Sequence, residues 1–250
     1  MLVWQVIMNL EETLQYHHID VSSLSLPEYQ RGGKEHPICL LRVPVTQILA
    51  QWEVLRGLVS ETGYWPVIGW DRFKQPLWEE EMVQTILEAG LYIDIQQWLK
   101  QEGIHTRIDE EGVRKRADVP PAPFDFRLPY GRFPYTLPSL VPIALVPTTH
   151  FWEVPAYLPV QGNEWDPSNA VQVAMMKYWN ERWGAELVAM APSTVEMRVL
   201  QPPTTWEDAF LLAKEQYIYA PDVVDQWLRG NFATLVKTLL NGHVWLFWWD

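Results

Sequence analysis

The sequence predicts an α+β fold in which helices pack on a mixed β-sheet. Three observations predict it. From residue 37 onward, short apolar runs alternate with helical periodicity and are divided by Gly and Pro punctuation. Residues 140–250 read as strand, helix, strand, strand, helix, helix, strand, a βαββαβ-like order with one added helix that is close to the split βαβ pattern of ferredoxin-like halves. Apolar residues make up 48% of the chain and charged residues 20%, which is globular composition, and 250 residues suffice to bury a full core at the upper end of what one domain holds.

Residues 1–36 are read as an N-terminal extension. The apolar run over 38–43 suits a buried strand, and it carries the single cysteine, Cys39, as a structural thiol. Ile48, Trp52, Leu55 and Val59 then share one helical face, and Gly63 ends the helix as a left-handed cap. Residues 64–70 form the next strand, with Pro66 placing it at an edge or marking its beginning. Pro76 opens a helix with Trp78, Met82 and Ile86 on one face and Gly90 at its close. A short helix over 94–102 ends at Gly103. Residues 37–103 thus form a strand-helix-strand-helix half of one domain that extends the same sheet.

Residues 104–139 are charged and then rich in proline, with Pro120, Pro121, Pro123, Pro129, Pro134 and Pro138 among Phe124, Phe126, Tyr130, Phe133 and Tyr135. Proline at that density removes backbone donors, so the segment reads as a crossover loop lying against the body. In its charged part, Arg114-Lys115-Arg116 follows Asp109-Glu110-Glu111 and is read as a solvated loop.

In residues 140–250, the C-terminal half, a strand spans 143–146 and a helix starting at Asp166-Pro167 runs to Trp183 and Gly184. Pro192-Ser193 turns a hairpin. Thr204 and Glu207 make a capping box ahead of Trp206, Phe210, Ala213 and Tyr217, and Asn231 caps the last helix. After the Asn241-Gly242 turn, Val244-Trp245-Leu246-Phe247-Trp248-Trp249 is apolar at every position, which predicts a central strand covered on both faces.

Charge and motifs narrow the function classes. With 19 basic and 31 acidic residues the net charge is −12, and no basic footprint exists to displace counterions from nucleic acid. No apolar window spans a membrane and no secretory leader is recognisable, so the expected location is the cytosol. The 6 histidines show no metal-ligand spacing, and one cysteine builds neither a disulfide nor a cysteine zinc site; no metal and no cofactor is expected. Nucleophile elbows, phosphate loops and dinucleotide fingerprints are missing.

Five C-terminal words resemble a known family. They are Gly162-Asn163-Glu164-Trp165-Asp166-Pro167-Ser168, Tyr178-Trp179-Asn180-Glu181-Arg182-Trp183-Gly184-Ala185-Glu186, Pro202-Pro203-Thr204-Thr205, Glu215-Gln216-Tyr217 with Pro221-Asp222-Val223-Val224-Asp225-Gln226, and the closing Val244-Trp245-Leu246-Phe247-Trp248-Trp249-Asp250. Together they resemble the bacterial domain-of-unknown-function family numbered 4253. The family commonly has a cysteine where this chain has Ala220 and a tryptophan where it has Gly162, so an activity resting on that cysteine would be missing here.

Candidate ligand-binding residues follow from carboxylates near an aromatic: Asn163, Glu164, Trp165, Glu186, Asp222 and Asp225. Such a lining raises a carboxyl pKa or receives a cationic or sugar-like ligand. Helix capping accounts for Asp166, Asp222 and Asp225 without any catalysis and is the favoured reading of these three. The leading expectation is an interaction protein, immunity-like in its simplest form, with a Trp- and acid-lined surface for a protein partner or small ligand. A hydrolase-type enzyme built on Glu164, Glu186, Asp222 and Asp225 and a structural subunit are the alternatives.

Overall fold

The computed structural model describes residues 2–26, 37–69, 80–116, 120–122, 124–126, 139–158, 167–191 and 193–249. In chain order the elements are α1 (Leu2–Tyr16), β1 (Cys39–Pro44), α2 (Ile48–Gly57), α3 (Val59–Thr62), β2 (Trp65–Ile68), α4 (Glu80–Tyr92), α5 (Ile95–Glu102) and α6 (Glu110–Lys115). They continue with β3 (Leu140–Val146), α7 (Val154–Tyr157), α8 (Asn169–Trp183), β4 (Ala185–Ala191), β5 (Thr194–Val199), α9 (Trp206–Tyr219), a π-helical turn (Val223–Trp227), α10 (Phe232–Leu239) and β6 (Val244–Trp248). Among the described residues, six strands form one mixed sheet in the order β1-β3-β2-β4-β5-β6, and the α+β class is confirmed.

The strands from the N-terminal half join the same sheet, but β2 is inserted between β3 and β4. It runs antiparallel to β3 and parallel to β4, where the pairing is Ile68 with Ala189. The C-terminal strands therefore keep the expected sequence order without the ferredoxin-like interleaving, since β6 pairs with β5. Pro66 is the second residue of an interior strand, so it marks the strand's beginning, as one of the two expectations has it, and not an edge. Its lost donor is tolerated because the ladder to β4 does not extend to it, while its carbonyl accepts from Trp52 Nε1 at 2.9 Å.

β6 is an edge strand among the described residues, which corrects the expectation of a central one. Cover on its two faces is what its apolar run requires, and lateral position is a separate matter. In the β5–β6 register Met197 faces Trp245 and Val195 faces Phe247, so alternation puts these on one face and Glu196 and Arg198 on the other. Trp179 of α8 covers the first face. Its ring stacks on Phe247 at 5.0 Å and meets Trp245 and Tyr219 edge-on at 5.6 and 5.0 Å.

Helix ends follow local chemistry with small shifts from expectation. The cap of α8 is Ser168, whose side chain accepts from Val171 N; Asp166 lies outside the described residues. Gly184 ends that helix at φ 59°, a left-handed cap. The box ahead of α9 is one residue later than predicted, with Thr205 accepting from Asp208 N at 3.2 Å. Asn231 caps α10 as expected. α4 buries Val83 and exposes Met82, and it continues past Gly90 to Tyr92; Pro76 and Trp78 lie outside the described residues. Gly90 is a point of close approach, because a Cβ there would sit 2.8 Å from Val173 of α8.

The charged stretch before the proline-rich segment is helical, in contrast to the solvated loop that its sequence predicts. In α6, Arg114 and Lys115 pair with Glu110 and Glu111 one turn earlier, at 3.4 and 2.6 Å. Residues 127–138 of the crossover lie outside the described residues. Phe124 is buried in the main core, so this part of the segment does lie on the body. α1 of the N-terminal extension also contributes Leu10 and Leu14 to that core.

Replacement of Trp179 by Ala removes the central ring of the aromatic cluster, and a loss of about 3–5 kcal/mol is expected in urea unfolding.

Candidate functional site

Three arrangements carry chemistry. The first centres on Glu186 of β4, 5% exposed, opposite Arg198 in the β4–β5 register. Arg56 Nη2 of α2 donates to Glu186 Oε1, and Arg198 Nη2 donates to Oε2. Arg198 Nη1 also donates to Glu53 of α2, so two carboxylates and two guanidiniums alternate along one chain of contacts. The guanidiniums lie over tryptophans, Arg198 4.8 Å from the Trp52 ring centre and Arg56 5.9 Å from that of Trp65. Burial works against the charge of Arg198, but its bonds to Glu186 and Glu53 outweigh that and raise its pKa. The cluster fastens α2 to the β4–β5 hairpin and occupies both oxygens of Glu186.

The second centres on Glu215 of α9, on the opposite face of the sheet. Tyr178 Oη donates to Oε1 at 2.8 Å, Trp179 Nε1 to Oε2 at 3.1 Å, and Arg182 Nη1 reaches Oε1 at 3.1 Å. Arg182 and Gln96 also donate to the Tyr178 oxygen, at 2.7 and 2.9 Å. Burial pushes the Glu215 carboxyl up from the ordinary range, and the bonds from Tyr178, Trp179 and Arg182 offset this only in part. The Tyr178 hydroxyl is raised by burial and by the charge of Glu215.

Beside this cluster lies the third, an open groove of about 270 Å³ between the α4–α5 junction and α8. Leu91, Asp94, Gln96, Lys177 and Glu181 line it together with Tyr178. Asp94 also caps α5, accepting from Gln97 N at 3.1 Å. Leu91 and the adjacent Tyr92 are 66% and 89% exposed, an unusual state for two large apolar side chains side by side.

Of the residues singled out in the sequence, Asn163, Glu164 and Trp165 lie outside the described residues. Glu186 is held by the arginines. Asp225 accepts from Tyr217 Oη at 3.1 Å, and Asp222 accepts from Gln226 Nε2 at 3.0 Å. Asp222 makes no side-chain cap bond, because the turn that follows it is π-helical and the carboxylate is directed to Gln226. The turn continues from α9, which packs on the α8 face, so Asp222 and Asp225 are not brought together with Glu186. Among the described residues, no group of three or more His, Cys, Asp or Glu side chains is placed to hold a metal ion, and no helix is long and apolar enough to cross a membrane.

Arg56, Arg198, Tyr178, Arg182 and Glu215 were not read from the sequence as partners. One signal was present: Tyr178 and Arg182 are four residues apart on one helix and address the same neighbour. The two halves of this cluster also lie in two of the family-like words, 178–186 and 215–217.

Residues 142–250 match the family model described as a domain of unknown function (DUF4253). No curated protein and no solved structure matches the chain.

Two predictions follow from the carboxylates. Glu186→Ala removes the carboxylate partner of Arg56 and one of the two held by Arg198 and is expected to cost about 2–3 kcal/mol in chemical denaturation, whereas Glu53→Ala, removing an exposed partner, costs less than about 1. Because the folded-state pKa of Glu215 is raised, the folded protein takes up this proton before the unfolded chain does. The stability contributed by the group therefore grows as pH falls from neutrality toward the ordinary carboxyl value of 4.5 and is lost as pH rises through the folded pKa. Urea midpoints of wild type relative to Glu215→Gln should rise over that interval, and a constant difference would contradict the assignment.

Proposed function

We propose that this is an interaction protein that docks a basic polypeptide on the acidic face built by α4 and α5. The observation that carries the reading is the exposed pair formed by Leu91, which lines the groove, and its neighbour Tyr92, inside a strongly acidic surface. Across residues 80–102 the exposed charged side chains are Glu80, Glu81, Glu88, Asp94 and Glu102 against Lys100. An exposed tyrosine beside an aliphatic residue is the kind of anchor that dominates binding energy at protein interfaces, and surrounding like charge selects and steers an oppositely charged partner.

The net charge of −12 supports a basic partner, and masking of a basic toxin by an acidic immunity-type protein is the simplest form of the role. Binding is favoured over hydrolysis because both oxygens of Glu186 and of Glu215 are engaged by protein donors. Each carboxylate is spent on holding elements together.

A photo-crosslinking residue placed at position 92 in the native host should yield a discrete polypeptide adduct. The same residue at position 200, where Leu200 is also exposed, should not. The charge reversals Glu81→Lys and Glu88→Lys should abolish the adduct, and affinity of the purified partner should fall with added salt. An adduct indifferent to charge reversal, or none at position 92, would rule the docking face out.

A further inference from the structure

A larger cavity, of about 440 Å³, lies between α1, α3 and the turn into β2, a volume suited to a small organic ligand. Leu10, Tyr64 and Pro147 supply apolar wall, and Asn9, Thr13, Glu61 and Thr62 supply polar atoms. The direction of the hydrogen bonds decides what those atoms offer. Thr13 Oγ1 donates to Asn9 O at 2.9 Å, and Thr62 Oγ1 donates to Leu58 O at 3.0 Å. Both hydroxyl protons are thereby committed to backbone carbonyls; Thr62 Oγ1 also accepts from Tyr64 N at 3.2 Å and keeps one lone pair, while the Thr13 oxygen remains an acceptor.

Glu61 is paired with His17 Nε2 through Oε2 at 2.8 Å, and its Oε1 takes no part in that contact. Among the described residues no lysine or arginine lines the cavity, and the last turn of α1 holds no basic residue to offset the negative end of the helix dipole. The Tyr64 hydroxyl is sealed in the interior and supplies no donor to this space. Apart from the Asn9 carboxamide, which donates as well as accepts, the side chains of the described lining offer acceptors and one carboxylate.

We propose that this cavity binds a small primary ammonium compound with an apolar body. The amino group is held by Glu61 and the Thr13 and Thr62 oxygens, and the carbon skeleton lies against Leu10 and Pro147. An ammonium has three donors and no acceptor, the complement of this lining, and its bonds to a carboxylate are charge-assisted. The site is built by elements other than those of the docking face and does not depend on it.

Calorimetric titration of the full chain with n-butylammonium chloride tests the proposal, with sodium butyrate and tetramethylammonium as probes of charge and of N–H donors. Saturable binding of n-butylammonium is expected, and neither of the other two ions should match it. Glu61→Gln should weaken it about tenfold or more, the loss of one charge-assisted bond. Thr13→Val should weaken it less, and Glu12→Gln, exposed on α1 outside the cavity, should leave it unchanged. Unchanged melting of Glu61→Gln separates loss of binding from loss of fold, and Thr13→Val carries the test if that variant is unstable. Equal binding of butyrate or tetramethylammonium, no saturable heat, or indifference to both Glu61→Gln and Thr13→Val would overturn the proposal. A lysine-containing tripeptide that binds more tightly than the free amine would also overturn it, reassigning the cavity to a polypeptide.

Discussion

One face of β6 carries Trp245 and Phe247, with Trp249 following in the same alternation, and an edge strand so loaded is tenable only when that face is sealed. Trp179 seals it by stacking on Phe247, with Tyr219 packed edge-on against Phe247 and Trp249 at 5.1 and 5.4 Å. That contact sets where α8 and α9 lie on the sheet. Once they are set, Tyr178, Trp179 and Arg182 are presented to Glu215, and Val173 is presented to Gly90 of α4. The groove and its exposed lip are therefore positioned, through two helix contacts, by the aromatic face of the last strand.

Glu186 and Glu215 show different solutions to one problem. A charge removed from water must recover its lost solvation from neighbours. Glu186 does so with two guanidiniums that are themselves laid over tryptophan rings, so the charges alternate and the network ties a helix to a hairpin. Glu215 has a tyrosine, an indole and a single arginine, and burial is the dominant influence on it. One site is a clamp, while the other is a hydrogen-bonded hub with a proton-binding tendency.

Features governed by neighbours in sequence were legible. The glycine end of α8, the hairpin at Ser193, the Asn231 cap and the helix opened after Asp94 all follow from local backbone and side-chain chemistry. The box before α9 slipped by one residue because Thr204 and Thr205 are equally suited and the choice rests on which one meets Asp208. The buried face of α4 slipped because the contact at Val173 admits Val83 and Gly90, and periodicity alone does not show what the helix packs on. The long-range pairs were not legible. Arg56 and Glu186 are 130 residues apart, and Tyr178 and Glu215 are 37 apart, so only the tertiary path brings them together. The lateral order of strands was equally hidden, since an apolar run reports cover on its faces and says nothing of its flanks.

The insertion of β2 between β3 and β4 bears on how the chain acquires its shape. The family match begins within β3, yet the sheet it enters is continuous only through Trp65–Ile68 from the first half of the molecule. Trp65 Nε1 also donates to Leu187 O at 3.1 Å, bridging the junction where the ladder is thinnest. β2 can pair with β3 as soon as both exist, but its parallel seam to β4 closes a loop of more than a hundred residues, an entropic cost that delays such contacts. The β4-β5-β6 meander joins strands that are neighbours in sequence, whereas β1 with β3, Cys39 to Leu145, closes a loop about as long as β2 with β4 does. One narrow seam thus turns a half-sheet of long closures and a half-sheet of short ones into a single sheet.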